Sequence, residues 1–121
     1  MAKLLIRMTS APYGTSNAAD GLDFALAATN YGHEVAVLFE GNGLYQLYPQ
    51  TKVKGVKDQS KRIKSLPFFD IEDCFYAQND VNRLGLNTDS FTALIVQDDV
   101  TPLDDAGIIM QIEQADHVVT F

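Results

Sequence analysis

Cys74 is the one residue in this 121-residue sequence that could act as a soft nucleophile. An exposed cysteine beside positive charge can carry sulfur as a persulfide, because the thiolate is the attacking form. The residues around Cys74 oppose that chemistry. Asp70, Glu72 and Asp73 surround it with negative charge, which disfavours a thiolate, and Phe75 and Tyr76 predict a packed strand. A buried structural thiol is therefore the expected state, with sulfur transfer through Cys74 as the competing one. A single cysteine excludes an internal disulfide and a multi-cysteine zinc site, and suits a reducing compartment.

The remaining polar candidates are weaker. His33 and His117 each precede an apolar run and adjoin an acid, Glu34 and Asp116, but neither has the convergent neighbours that a metal or proton-transfer site needs. Asp98-Asp99 and Asp104-Asp105 flank the start of an expected helix, where dipole pairing and solvation account for them. The loop Ser10 to Ser16 follows a strand and precedes a helix, a place where α/β proteins bind phosphate. It offers only Gly14, Thr15 and Ser16, and no glycine-rich nucleotide signature. Pro12 and Tyr13 fit a packed surface contact instead. No cofactor and no metal are expected.

Two segments suggest contacts with other molecules. Residues 52 to 64 contain six of the nine basic side chains against one acid, and a helix there places Lys57, Lys61 and Lys64 on one face. They form either a solvated face or a contact for an acidic partner or RNA phosphate. The net charge of −7 argues against wrapping nucleic acid, so no direct tRNA binding is expected. Leu44, Tyr45, Leu47 and Tyr48 follow the turn Gly41-Asn42-Gly43. Such a run is costly to leave wet and is expected to form an interface. With a first helix that is apolar on two faces and expected to be buried on both, it predicts a homo-oligomer when the chain is isolated.

The elements that position these groups follow from periodicity. KLLIRMT (3 to 9) reads as a buried strand, Asn17 caps a helix that Gly32 ends, and HEVAVLF (33 to 39) is a second strand. A basic helix over Val56 to Leu66 stops at Pro67. A third strand lies within Phe69 to Ala77, a short helix runs from Asp80 to Leu84, and FTALIV (91 to 96) is a fourth strand. Thr101-Pro102-Leu103-Asp104 reads as the start of a helix capped by Thr101, with Ile108, Ile109 and Ile112 facing inward. HVVTF (117 to 121) closes the chain. The expectation is one three-layer α/β domain over residues 1 to 121, with a mainly parallel five-stranded sheet flanked by helices. With 46% hydrophobic and 21% charged residues the chain has an ordinary globular composition. Its first residues read as a strand rather than a leader, so a cytoplasmic protein with no membrane span is expected.

In order and spacing, TSAPYGTSNAADGLDFALA (9 to 27), VAVLFEGNGLYQLYPQ (35 to 50), FFDIEDCFYAQNDVNRLGL (68 to 86) and the terminal DHVVTF together resemble the TusC-like, or DsrF-like, branch of the DsrE/DsrF sulfur-relay family. The one departure is Asn42, where relatives commonly carry Asp, a change that turn preferences tolerate. The resemblance implies a non-catalytic accessory subunit with TusB-like and TusD-like partners in a dimer of heterotrimers. That assembly passes persulfide sulfur to a downstream carrier for 2-thiolation of wobble uridine in tRNA. A DsrF-like role in sulfur oxidation shares the same fold and subunit plan. In TusD-like sisters the reactive cysteine lies just before a helix; counting back from Arg83-Leu84-Gly85 places Ala77 near that position.

Overall fold

Side-chain alternation along the strands sorts the apolar residues onto two faces of one sheet, and each face collects its own helices. In the computed structural model, which describes residues 2–11, 16–47, 63, 66–86 and 100–121, the strands are β1 (Lys3–Met8), β2 (Glu34–Phe39), β3 (Asp73–Ala77), β4 (Thr101–Leu103) and β5 (His117–Thr120). Their order is β4-β3-β2-β1-β5 and every pairing is parallel. The helices are α1 (Asn17–Asn30), α2 (Gln78–Arg83) and α3 (Asp105–Gln114), with 3-10 segments at Gly41–Leu47 and Leu66–Phe69.

Leu4, Ile6 and Met8 of β1, Val35, Val37 and Phe39 of β2, and Cys74 and Tyr76 of β3 pack beneath α1 in the larger core. The intervening residues Leu5, Ala36, Leu38 and Phe75 point the other way, where Ile108 and Ile112 of α3 and Ala115 just after it cover them. That is the period-2 signature of strands buried on both faces. The chain steps from β1 to β4 in one direction and then returns through α3 to β5 on the far side of β1, so α3 must cross the face opposite α1. A three-layer α/β domain results.

The helix ends have specific causes. After α1 the His33 N–H donates to the Ala28 carbonyl and the Gly32 N–H to the Thr29 carbonyl, with Gly32 at φ 84. After α2 the same pair of bonds joins Leu86 to Val81 and Gly85 to Asn82, with Gly85 at φ 69. Both are left-handed caps that satisfy carbonyls the helix leaves open. Val81 and Leu86 are both buried, the apolar contact that usually accompanies such a cap.

Four expectations are corrected. Ser16, not Asn17, precedes α1, and its hydroxyl donates to Asp20 Oδ2 at 2.9 Å while Asn17 reaches Ser10. α1 buries Ala18, Gly21, Leu22, Ala25 and Ala28 within this chain, so one face is covered rather than two, and Phe24 stays 39% exposed. Thr101 does not cap a helix: Thr101–Leu103 is the edge strand β4, where Pro102 can sit without a donor. Asp104 is the cap, its Oδ1 accepting the Gly107 N–H at 2.8 Å. Ile109 is 55% exposed, leaving Ile108 and Ile112 as the inward pair. Replacing Asp104 by Ala is expected to cost about 1 kcal/mol, read as a lowered midpoint in urea unfolding with an unchanged slope. The expected helix at Val56 to Leu66 and strand at Phe91 to Val96 fall outside the described residues, apart from Ile63 and Leu66, both buried.

Candidate functional site

In parallel α/β sheets functional groups gather at the carboxyl ends of the strands, and here that edge is occupied by bonds that hold loops in place. Arg7 places Nη2 at 2.7 Å and Nε at 2.8 Å from Glu40 Oε1, tying the end of β1 to the end of β2. Asp80 of α2 accepts the Gly41 N–H at 2.8 Å through Oδ2 and meets Arg83 at 3.2 Å through Oδ1. Gln46, fully buried, donates to the Ser10 carbonyl at 2.9 Å and so fastens the Gly41–Leu47 turn to the chain leaving β1. The Tyr76 hydroxyl donates to Gln78 Oε1 at 3.3 Å, and burial raises that phenol above its usual pKa. These partners are structural. Gln46 was not legible as a fastener, since nothing in its neighbourhood distinguishes it from a loop glutamine.

Cys74 lies away from this edge. It is the second residue of β3, three positions before the strand's end, in register with Val37 and 5% exposed among the larger core's apolar side chains. Its Sγ lies 4.0 Å from the Ile71 carbonyl oxygen. The acids beside it in sequence point elsewhere, since Asp70, Glu72 and Asp73 are all exposed. Ala77 is the residue at the end of β3 and precedes α2, 3% exposed and without a reactive group.

The histidines are separated. His33 Nδ1 accepts the Ala2 N–H at 3.2 Å. His117 is exposed at the start of β5, opposite Leu4. Among the described residues no group of three or more His, Cys, Asp or Glu is placed to hold a metal. Asp104 and Asp105 serve the start of α3, whereas Asp98 and Asp99 lie outside the described residues, as do Tyr13, Tyr48, Lys57, Lys61 and Lys64. Of the expected contact segment, Leu44 and Leu47 are 0% and 1% exposed in this chain's own core. Both therefore drop out of any contact surface, and Tyr45 remains, 38% exposed.

The DsrE/DsrF-like family matches residues 2–121. The chain belongs to that family. It is 28% identical over the whole of both chains to the TusC homolog of Aliivibrio fischeri and 29% identical, again over the whole of both, to TusC of Escherichia coli. A TusC homolog of Vibrio parahaemolyticus is 33% identical over 71% of this chain and 75% of its own length. Among solved structures the ychN protein of E. coli superposes with a TM-score of 0.80 at 16% identity, covering 100% of each chain. A conserved protein of Bacteroides thetaiotaomicron superposes at 0.69 with 12% identity over 99% of this chain and 95% of its own. At those identities the two structures bear on the fold alone. No helix among the described residues of this DsrE/DsrF-like chain is long and apolar enough to cross a membrane.

Proposed function

We propose that this chain is a TusC-like, non-catalytic subunit of a cytoplasmic sulfur-relay assembly. It joins TusB-like and TusD-like sisters in a dimer of heterotrimers that passes persulfide sulfur toward 2-thiolation of wobble uridine in tRNA. Full-length similarity to TusC chains supports the pathway. The observation that carries the non-catalytic role is the place of the only cysteine. A sulfur carrier must present its thiol to a donor and an acceptor in turn, and Cys74 is packed inside the sheet-helix core instead. The end of β3, where a reactive group would meet a partner's substrate, carries Ala77.

The test is complementation. Deleting the gene is expected to abolish wobble-uridine 2-thiolation, and a Cys74→Ser copy is expected to restore it to the level given by the unaltered copy. A Cys74→Ser protein that joins its partners yet leaves thiolation at the deletion level would make Cys74 a carrier and overturn the proposal. A deletion that leaves tRNA thiolation intact would point to another sulfur pathway.

A further inference from the structure

We propose that the groove between α1 and the β5 side of the sheet seats an apolar side chain of a partner protein whose surrounding surface is basic. The proposal rests on the assembly reading above and identifies the surface that serves it.

α1 has a second apolar row that the described residues of its own chain cover only in part. Phe24, Ala27 and Tyr31 follow Asp20 at spacings of four, three and four residues and so form one ridge along the helix. The ridge lies beside the buried face, over the flank that faces β5: the Phe24 ring meets Phe121, at the end of β5, with centroids 5.6 Å apart. Beneath the ridge lies a groove of about 260 Å³, lined by Leu4, Phe24, Ala27, Ala28, Tyr31 and His33. That is smaller than the roughly 300–1,000 Å³ typical of small-molecule pockets, and it suits an inserted side chain better than a cofactor. Tyr31 is 85% exposed and Phe24 39% exposed. Aromatic groups of this kind are over-represented where proteins meet, because they combine large apolar area with few rotamers to freeze.

Charge selects the partner. Among the described residues twelve carboxylates stand against Lys3, Arg7 and Arg83, and Arg7 and Arg83 are paired with Glu40 and Asp80. Asp20 stands on the ridge itself. The whole chain carries a net charge of −7, and with Asp20 on the ridge this face favours Lys- and Arg-rich surfaces over a second copy presenting the same face.

Ala27→Lys fills the groove and offsets the charge of Asp20 on the ridge, whereas Tyr31→Ser removes the most exposed aromatic. Both positions are exposed, so unfolding midpoints are expected to stay at the wild-type value. Gln114→Lys on α3, exposed on the opposite layer, is the charge-matched control. The probes are the DsrE-family chains of the same organism, purified singly and in pairs and titrated against this chain. Wild type and Gln114→Lys are expected to bind equally, with affinity falling as salt rises from about 50 to 300 mM. Ala27→Lys and Tyr31→Ser are expected to bind at least tenfold more weakly. Binding of both groove variants at wild-type strength would overturn the groove proposal while leaving the assembly reading in place. Loss of self-association alone, with binding to the other chains unchanged, would make a second copy the occupant and overturn the basic partner. Affinity independent of salt would overturn the charge argument. Failure of wild type to bind any of these chains would overturn the assembly reading and the proposal with it.

Discussion

Gly43→Ala is expected to lower the stability of this protein by about 3 kcal/mol or more, or to leave it insoluble. A Cβ at Gly43 would lie 1.8 Å from the Met8 carbonyl oxygen and 3.2 Å from the Thr9 nitrogen. Both are backbone atoms, so no side chain can rotate away to make room. The Met8 oxygen already accepts the Glu40 N–H at 3.1 Å, continuing the β1–β2 ladder one residue past Phe39. A methyl group there must push the Gly41–Leu47 turn off the end of β1, and that turn carries Leu44, Gln46 and Leu47 into the core. Gly32 provides the contrast. It has φ 84, but a Cβ there would meet nothing within 4 Å, so Gly32→Ala faces only backbone strain, about 1 to 2 kcal/mol. Urea unfolding of the two variants decides the matter. Equal midpoints would show that the close approach at Met8 is relieved without cost.

The difference between those glycines marks how far residue patterns could be read. Gly32 and Gly85 were legible as helix stops because a left-handed cap requires a residue type. Gly43 read only as part of a turn, because the atom it must avoid belongs to a strand more than thirty residues away. The strands β1 and β2 were legible from continuous apolar runs, and the layer order followed from alternation with helices. Thr101-Pro102-Leu103-Asp104 misled because a hydroxyl, a proline and an acid satisfy the start of a helix at Thr101. Asp104 makes the stronger cap three residues later, and Pro102 costs little on the edge strand β4. Periodicity put Phe24 and Ala28 on a second apolar face of α1, but Ala28 is buried with the first face, and the row through Ala27 and Tyr31 was not read from the sequence. At the candidate site, the burial of Cys74 followed from its strand neighbours. The bonds of Gln46 to Ser10 and of Asp80 to Gly41 join segments distant in sequence and left no local trace.

The same limit explains the contact segment, and it sets the other large expected effect. A 3-10 helix has three residues per turn, so positions three apart share a side. In Gly41–Leu47 that puts Leu44 and Leu47 together, facing the core beside Met8 and Phe39, and turns Tyr45 toward solvent. An apolar run read without that period looks like an exposed patch. Leu44→Ala is therefore expected to cost about 2 to 5 kcal/mol, the transfer of a buried side chain plus the cavity it leaves. Tyr45→Ser is expected to cost less than Leu44→Ala, since more than a third of the Tyr45 surface is already in water. Among the described residues of this segment, Tyr45 is then the apolar side chain left to contribute to self-association. Sedimentation at micromolar concentration separates the roles when paired with urea midpoints. A Leu44→Ala protein as stable as the wild type but shifted to monomer would return Leu44 to an interface. A marked loss of midpoint for Leu44→Ala, with a smaller one for Tyr45→Ser, is the result that the burial of Leu44 demands.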